Sequence, residues 1–368
     1  MLALSTATLV DQAQQLGIDL PRHPWKEPLV AAIASARTGA LYGCGVLEVH
    51  GEGFGFLRSL DAHLLPSPQD IYVGQTQIRR FNLRTGDTVM GEVREPRDNE
   101  RYTPLIRVHL VNGADAEATR PEPDPADVAI PSTRLPLSRD PWLEAVDAVA
   151  PLALGHRGLL VAPSGPQRTE VLRRLAEAFH AEDGFHITVL LPSERPEDIT
   201  AWAEHAHLEV IATRFDEQPA RQLQVFDVAL ERARRLAESG LEVLVLVDGL
   251  NKVLRLAQHD QATSGRVVGP ADAHALQRLR GWFAFGRDLP EGGSVTLIGA
   301  TDPAASVDPL AAALLQDLAD ASTWQAHQLP GAQAPAWCPE RSFARWEDRI
   351  LPRAEVKRRR TRARASEA

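Results

Sequence analysis

The sequence has only two cysteines among its 368 residues, and neither belongs to a recognisable motif. Cys44 and Cys338 lie far apart, with no His or Cys at metal-binding spacing beside them. This excludes a disulfide framework and gives no sign of a zinc site. Two reduced thiols are typical of a cytoplasmic protein, and we expect that location.

Long hydrophobic runs are absent as well. No stretch of eighteen apolar residues occurs, so the sequence predicts no membrane-spanning helix. The N-terminus has no basic region followed by an apolar stretch, so we expect no secretory signal. Apolar and charged fractions of 44% and 24% instead predict a soluble globular chain of two or three domains.

An excess of positive charge is also missing, since the net charge is −9. This disfavours indiscriminate binding of polyanions but leaves room for local basic patches. One such patch is the C-terminal run Lys357-Arg358-Arg359-Arg360-Thr361-Arg362-Ala363-Arg364. Two interpretations stay open for it: a solvated end, or a non-specific contact with RNA or a partner. We assign residues 352–368 to a basic disordered tail.

Aromatic residues make up only 5% of the chain, so their clustering in one segment is informative. Residues 43–112 read as five short strands, at 46–49, 53–57, 70–73, 87–90 and 105–108, which predicts a small β-barrel of the OB or cold-shock type. In Gly53-Phe54-Gly55-Phe56, strand alternation places both phenylalanines on one face and Leu57 on the other. Such rings can stack on bases, and Arg58 could pair with a phosphate. The pattern favours RNA or single-stranded DNA binding over two core phenylalanines.

The remaining segments are a helical unit, a linker and a larger domain. Residues 1–42 read as short helices, and residues 113–140 form a proline-rich linker. Over 141–351, apolar strands at 158–162, 187–191, 209–213, 243–248 and 294–300 alternate with helices at 169–180, 197–206, 219–239, 251–258, 271–285 and 308–319. This alternation predicts a mostly parallel sheet covered by helices on both faces. The fold class is therefore an α+β N-terminal part followed by an α/β domain.

Residues 158–169 have the strand–turn–helix setting of a phosphate-binding loop, with the helix expected to begin at Thr169. The usual signature G-x-x-x-x-G-K-[ST] ends here in Gln167-Arg168-Thr169, so the Mg²⁺-binding hydroxyl is present and the Gly-Lys pair is not. At two other strand ends, Asp248 would hold Mg²⁺ and Glu194 would polarise an attacking water. Either carboxylate alone is as readily a helix cap or an ion-pair partner. Together they favour descent from an NTP site.

The segment order and several motifs resemble the family of bacterial transcription termination factor Rho, hexameric RNA-dependent ATPases and helicases. The motifs are Gly45-Val46-Leu47-Glu48, Gly53-Phe54-Gly55-Phe56-Leu57-Arg58, Asp70-Ile71-Tyr72-Val73, Glu100-Arg101-Tyr102 and Glu194-Arg195-Pro196-Glu197. The resemblance implies a RecA-like P-loop NTPase domain, ATP and Mg²⁺ as cofactors, and single-stranded RNA as ligand. It also implies a homo-hexamer or hetero-ring that meets RNA polymerase or another Rho subunit, with no membrane involved.

The resemblance also implies roles for individual residues. The RNA-binding set is Phe54, Phe56, Arg58, Asp70, Tyr72, Glu100, Tyr102 and Arg266. The nucleotide-binding set is Pro163, Ser164, Gly165, Pro166, Gln167, Arg168, Thr169, Arg195 and Asp248, with Thr169 and Asp248 as metal ligands. Glu194 and Arg345 would be catalytic, Arg345 as an arginine finger.

Departures from the family pattern are concentrated in the nucleotide loop and in the RNA channel segments at 264–272 and 301–308, whereas the RNA-binding surface is unchanged. Three hypotheses follow. The chain is a Rho-like termination factor with an ATP-dependent RNA translocase or helicase domain and a degenerate phosphate loop. Alternatively, it is a catalytically weak or inactive paralogue that acts as an RNA-binding or regulatory subunit. The third hypothesis is a RecA-type protein that handles single-stranded DNA.

Overall fold

The computed structural model describes residues 5–20, 25–120, 124, 128–135, 137, 140–162, 165–180, 184–205, 208–263, 273–302, 309–329 and 336–366. Two compact units are present. The first comprises Met1–Pro121 with Glu204–His207 and Val225–Arg235, and the second comprises Glu122–Ala203, Leu208–Gln224 and Leu236–Ala368. The boundary after Pro121 falls within the predicted linker. Among the described residues, no helix is long and apolar enough to span a bilayer.

The first unit begins with two helices, α1 (Thr6–Gln15) and α2 (Lys26–Thr38). The Ser5 hydroxyl caps α1 by accepting a hydrogen bond from the Thr8 amide at 3.2 Å. Gly39 ends α2 in the left-handed conformation, at φ 75°, which glycine adopts without strain. Leu9 and Ile33 are fully buried in a small core between the helices. This agrees with the predicted helical unit.

A closed barrel follows the helices. Its elements are β1 (Tyr42–Val49), β2 (Gly55–Arg58), β3 (Ile71–Val73), α3 (Gln75–Arg80), β4 (Thr88–Val93), β5 (Thr103–Val111) and β6 (Ala114–Asp115). The strand order is β3-β2-β1-β4-β5-β6, and an additional β3–β5 pairing closes the barrel. Leu47, Val73, Val89 and Val111 fill its interior. All five predicted strands are present, which confirms the OB-like barrel.

The second unit is a layered α/β domain. Its elements are α4 (Pro141–Val149), β7 (Arg157–Val161), α5 (Gly165–His180), β8 (Phe185–Glu194), α6 (Pro196–Ala203), β9 (Glu209–Arg214), α7 (Pro219–Glu238, of which Val225–Arg235 is counted with the first unit), β10 (Glu242–Asp248), α8 (Leu250–Thr263), α9 (Ala273–Phe283), β11 (Arg287–Asp288), β12 (Ser294–Thr301), α10 (Pro309–Ala321), β13 (Trp324–His327), β14 (Phe343–Ala344), α11 (Glu347–Ile350) and α12 (Arg353–Ser366). The sheet order is β14-β13-β7-β12-β10-β8-β9, and its pairings are parallel from β13 to β9. The predicted parallel sheet is thus confirmed, and the carboxyl ends of β8 and β10 lie side by side.

The structure corrects three expectations from the sequence. Helix α5 begins at Gly165 rather than at Thr169, so residues 165–168 are its first turn and not an open loop. Residues 353–366 form helix α12 instead of a disordered tail. Val356 anchors that helix in a small apolar cluster, and Arg359 donates to the Asp147 carbonyl at 3.2 Å. A third correction adds strands β13 and β14, which are too short for periodicity to reveal.

Candidate functional site

The first candidate site is a group of aromatic rings on the barrel. Strands β2 and β3 pair so that Phe56 lies opposite Tyr72. The Phe56 ring centroid is 5.8 Å from Phe54, 5.9 Å from Tyr72 and 4.8 Å from Tyr102. The interplanar angles at Phe56 are 88°, 71° and 62°, so the other rings meet it edge to face. The sheet thereby brings together the two phenylalanines predicted for one face and the two tyrosines that the resemblance adds to the RNA-binding set.

These rings form a surface and not a core. Phe54, Phe56 and Tyr102 are half-buried and Tyr72 is 37% exposed. Leu57, on the other side of β2, is 2% exposed and belongs to the barrel interior. The predicted alternation is confirmed, and the alternative of two core phenylalanines is wrong.

Glycine sets the approach of β2 to the neighbouring strand. A Cβ atom on Gly55 would lie 2.6 Å from the Glu48 carbonyl oxygen and 2.8 Å from Leu47 Cδ1, closer than any real side chain is found. The residue between the two phenylalanines must therefore be glycine if β2 is to pair with β1.

A fifth ring, which the sequence did not predict, joins this group. The His50 imidazole stacks on Phe54 with a centroid distance of 5.2 Å and an interplanar angle of 13°, and it meets Phe56 edge-on at 5.5 Å. His50 lies beyond the end of β1, and its amide donates to the Phe54 carbonyl at 2.8 Å across the turn. We call His50, Phe54, Phe56, Tyr72 and Tyr102 the ring cluster. Only the turn geometry could have indicated His50, since strand alternation does not extend across it.

Arg58 does not have the exposed position that the sequence predicts. Its residue is 4% exposed, and its guanidinium donates to Glu48 at 2.7 Å and also to Asp70. Asp70 is 2% exposed and accepts a further hydrogen bond from the Ser67 amide at 2.7 Å. A buried guanidinium with two carboxylate partners cannot reach a phosphate without losing those hydrogen bonds. We therefore interpret Arg58 and Asp70 as a buried support of the ring cluster. The guanidinium carbon lies 5.1 Å from the Phe56 centroid.

An exposed cation lies instead at Arg101, whose guanidinium carbon is 5.3 Å from the Tyr102 ring centroid. Beside it, the Glu100 carboxylate accepts two hydrogen bonds from Arg94, at 2.6 and 2.7 Å. This bidentate pairing lowers the pKa of Glu100 to about 2. Glu100 is therefore an ionised carboxylate paired with Arg94, and Arg101 supplies positive charge next to the rings. Arg266, the remaining predicted RNA-binding residue, lies outside the described residues.

The second candidate site is at the carboxyl ends of β8 and β10. A cavity of about 1230 Å³ is lined there by the start of α5, by the β8–α6 turn and by Asp248. Gly165, Pro166, Arg168, Thr169, Glu194, Arg195 and Asp248 all line it. The structure thus brings together most of the predicted nucleotide-binding residues. Pro163 and Ser164 lie outside the described residues, and Gln167 is not among the lining residues.

Arg168 is the centre of a buried network in this cavity. Its Nε donates to Asp248 Oδ1 at 2.5 Å, and its Nη1 donates to Asp302 Oδ1 at 2.7 Å. Thr169 Oγ1 donates to the other Asp248 oxygen at 2.6 Å. Burial lowers the pKa of the Arg168 guanidinium, but attraction to Asp248 and Asp302 outweighs this and leaves that pKa raised. The network holds a permanent cation against the carboxylate predicted to bind metal.

Glu194 is also engaged. Its carboxylate accepts a hydrogen bond from the Lys252 ammonium, which comes from the first turn of α8. Burial raises the pKa of Glu194, and Lys252 opposes that rise without cancelling it. Arg195, the next residue, is exposed. The Lys252 ammonium thus engages the carboxylate that the sequence predicts would polarise an attacking water.

Arg345 is not brought to this cavity within one chain. It follows β14 at one edge of the sheet, whereas Glu194 ends β8 near the opposite edge. Its amide donates to the Thr323 carbonyl at 2.8 Å, and its side chain is exposed. A catalytic role for Arg345 therefore stays a prediction, and within one chain it has no access to Glu194.

The residues at this site do not fit a magnesium ion. Both oxygens of Asp248 and both oxygens of Asp302 already accept hydrogen bonds, the last from Asn251 Nδ2 at 3.2 Å. Mg²⁺ requires oxygen ligands at about 2.0–2.1 Å with near-octahedral geometry. Within the described residues, no group of three or more His, Cys, Asp or Glu side chains is arranged to hold a metal. Arg168 already places a positive charge against Asp248, the carboxylate predicted to hold the metal.

Structural comparison supports the fold assignment of the second unit. The chain aligns with an ATPase from the type III secretion system of pathogenic bacteria at a TM-score of 0.55 and 16% identity, covering 65% of this chain and 69% of that one. It aligns with an ATP synthase subunit of Nanoarcheaum equitans at a TM-score of 0.53 and 17% identity, covering 67% and 64%. At these identities the likeness shows a shared RecA-like α/β fold alone.

Sequence comparison reaches further. Residues 43–117 match the family described as Rho termination factor, RNA-binding domain. The chain is 39% identical over 308 residues to transcription termination factor Rho of Allochromatium vinosum, covering 79% of this chain and 72% of that protein. The factor of Neisseria gonorrhoeae is 38% identical, with 80% and 74% covered, and that of Thermotoga maritima is 37% identical, with 80% and 72% covered. The chain belongs to the family of transcription termination factor Rho.

Proposed function

We propose that this chain binds single-stranded RNA through the ring cluster and acts in transcription termination as a Rho-family factor. The observation that carries the proposal is the group of five rings at the surface of a closed barrel, within the segment that matches the family's RNA-binding domain. Every base has a π-face, so a cluster of exposed rings binds an unpaired strand with little dependence on its sequence. RNA polymerase and its nascent transcript are the partners that termination requires.

The test of RNA binding is fluorescence anisotropy with a labelled RNA oligonucleotide and a DNA oligonucleotide of the same sequence. Removing one stacking ring costs about 1–3 kcal/mol, so Phe56→Ala is expected to weaken RNA binding roughly 5- to 150-fold. Ile106→Ala is the matched control, because Ile106 is an exposed apolar residue on β5 outside the ring cluster. Unchanged binding by Phe56→Ala would contradict the proposal. Equal affinity for both oligonucleotides would favour the hypothesis of a protein that handles single-stranded DNA.

A transcription assay addresses termination itself. Purified RNA polymerase transcribing a long untranslated template is expected to release shorter RNA when this chain is added, alone or together with an intact Rho. The same assay with Phe56→Ala is expected to show no release above background. Release that is unaffected by Phe56→Ala would separate termination from the ring cluster and contradict the proposed route.

We also propose that this factor hydrolyses ATP slowly or not at all, acting as an RNA-binding or regulatory subunit in a homo-hexamer or a hetero-ring. The Arg168–Asp248 and Lys252–Glu194 contacts favour this over the ATP-driven translocase that the family implies. The test is RNA-stimulated ATP hydrolysis by the wild-type chain beside the double variant Gln167→Gly, Arg168→Lys. RNA-stimulated turnover by the wild-type chain would contradict the proposal. Gain of turnover only in the double variant would locate the loss in this loop.

A further inference from the structure

We infer that the Arg168 guanidinium is the resident counter-ion of the second site, and that it stands in place of the divalent cation and phosphate for which such a site is built. The site is then a structural ion-pair centre that needs neither metal nor nucleotide to be stable. This inference rests on the proposed lack of ATP turnover, because both concern the same carboxylates. It goes further by assigning the altered site a stabilising role in the folded protein.

The Arg168–Asp248 pair is buried. The Arg168 side chain is 6% exposed and the Asp248 side chain is 3% exposed, at the carboxyl end of the central strand β10. A buried carboxylate is strongly unfavourable unless an opposite charge compensates it. In a nucleotide-binding relative of this fold a bound cation can supply that charge. Here a side chain of the chain itself supplies it, at a nitrogen–oxygen distance of 2.5 Å.

The shape of the Arg168 guanidinium suits two carboxylate partners. A guanidinium is a planar fork with several donors, so one Arg168 side chain serves two carboxylates that come from different strands. Nε serves Asp248 at the end of β10, and Nη1 serves Asp302 just after β12. A lysine ammonium is a compact charge and does not have this fork. The change from lysine to arginine therefore joins two neighbouring strand ends that a lysine would not hold with the same geometry.

The oxygens of Asp248 and Asp302 all accept hydrogen bonds. Thr169 donates to Asp248 and Asn251 donates to Asp302, so each of the four carboxylate oxygens accepts a hydrogen bond. Helix α5 starts at Gly165, one turn before Arg168, so the residue extends from a regular helix and not from a mobile loop. All four carboxylate oxygens are thus hydrogen-bonded, and the loss of Arg168 would leave the buried charge of Asp248 behind.

Thermal unfolding of the full-length chain tests the inference, with EDTA and with increasing MgCl₂ at constant ionic strength. The wild-type Tm is expected to be the same in both. Arg168→Met keeps the side-chain volume but removes the charge, and is expected to lower Tm by roughly 5–15 °C in EDTA. With the guanidinium gone, Asp248, Asp302 and Thr169 form an oxygen-lined site. Mg²⁺ is therefore expected to restore part of the loss, with Tm rising as the logarithm of Mg²⁺ concentration.

Arg174→Met is the matched control. Arg174 lies on the same helix and also pairs with two carboxylates, Asp140 at 2.5 Å and Glu170 at 2.8 Å, but its side chain is 28% exposed. Because water screens that pair, we expect a Tm change of at most a few degrees and no response to Mg²⁺. A similar Mg²⁺ response in both variants would mean general carboxylate binding and would overturn the inference.

Two further measurements keep the inference testable if Arg168→Met does not fold. Titration calorimetry of MgCl₂ into the wild-type chain is expected to give no specific heat, and saturable binding would overturn the inference. The double variant Arg168→Met, Asp248→Asn removes both charges, and we expect it to recover much of the stability that the single variant loses. No recovery would also count against it. ATP hydrolysis by the wild-type chain would overturn both proposals, whereas Mg²⁺ binding without hydrolysis would overturn only this inference.

Discussion

At the residue scale, His50 shows how a turn adds a ring to a surface. Strand alternation determines where Phe54 and Phe56 lie, but His50 lies across the turn from Phe54. A backbone hydrogen bond of 2.8 Å brings it back over Phe54. Its ring covers one side of Phe54 and its edge meets Phe56, so it restricts the orientations of the two rings. We therefore expect His50 to affect RNA binding through the two rings that it contacts.

We expect His50→Ala to weaken RNA binding roughly 2- to 12-fold, since an aromatic pair contributes about 0.5–1.5 kcal/mol beyond its buried area. His50→Phe keeps a ring at the same place and is expected to retain wild-type affinity. Fluorescence anisotropy with labelled RNA measures both variants, and circular dichroism checks that the barrel stays folded. Equal losses in the two variants would show that the imidazole itself, and not the stacked ring, is required.

The two arginines near the ring cluster differ in burial, and this predicts opposite phenotypes. Arg101→Gln removes an exposed cation, so we expect weaker RNA binding and a salt slope that is shallower by about 0.7. Arg58→Met leaves Glu48 and Asp70 buried without their cation, which costs about 3–5 kcal/mol of barrel stability. Hydrogen–deuterium exchange of β1, β2 and β3 is expected to increase in Arg58→Met and not in Arg101→Gln. Increased exchange in both variants would contradict this division of roles.

At the element scale, strand β7 is held between β12 and β13, and the residue before it is buried. His156 is fully buried, and its Nδ1 accepts a hydrogen bond from the Ala153 amide at 3.4 Å. Burial, with a smaller contribution from the charge of Arg157, lowers the pKa of His156 to about 3. The folded chain therefore keeps this imidazole neutral under conditions in which the unfolded chain protonates it.

This difference makes the stability of the α/β domain depend on pH. As pH falls below 6.5, His156 becomes protonated in the unfolded state but stays neutral in the folded state. The contribution of neutral His156 to the free energy of unfolding is therefore complete above pH 6.5 and decreases towards pH 3. At pH 5 we expect a loss of about 2 kcal/mol relative to pH 8 from this residue. Urea denaturation of His156→Gln is expected to show a pH dependence smaller by that amount. His274→Gln, at an exposed position, is the control and should leave the pH dependence unchanged.

At the scale of the whole molecule, the two sites rest on separate cores. The ring cluster lies on the barrel core that contains Leu47 and Val89, and the Arg168 network lies on the sheet core that contains Leu160 and Leu246. Substitutions at sites that share no partners have nearly additive effects. We therefore expect that the two sites can be altered one at a time.

We expect Arg168→Met to lower Tm without changing RNA affinity by more than about twofold, because additivity between independent sites holds to within about 0.5 kcal/mol. Phe56→Ala is expected to weaken RNA binding without lowering Tm. Measuring Tm and RNA affinity for the two single variants and the double variant completes the cycle. A coupling energy well above 0.5 kcal/mol would mean that the α/β domain communicates with the ring cluster.

Much of the fold follows from local pattern. Strand alternation predicts all five barrel strands and the outward face of Phe54 and Phe56, because a period of two is imposed by the backbone itself. Helix periodicity and apolar runs likewise predict the order of β7, β8, β9, β10 and β12. Short strands such as β13 could not be predicted, since four residues carry too little pattern. The start of α5 was misplaced because its first turn lacks apolar periodicity.

The sequence by itself thus determined the architecture, the family and the ring-bearing face, since each depends on residue type and spacing along the chain. Only the tertiary structure decided which charges remain available. The identity of Arg58 and Arg168 shows a cation but not its partners. Arg58 lies against two carboxylates from nearby parts of the barrel, and Arg168 lies against two carboxylates 80 and 134 residues away in sequence. Electrostatic energy depends on distance and burial, and these are fixed only when strands from separate parts of the chain meet in one sheet.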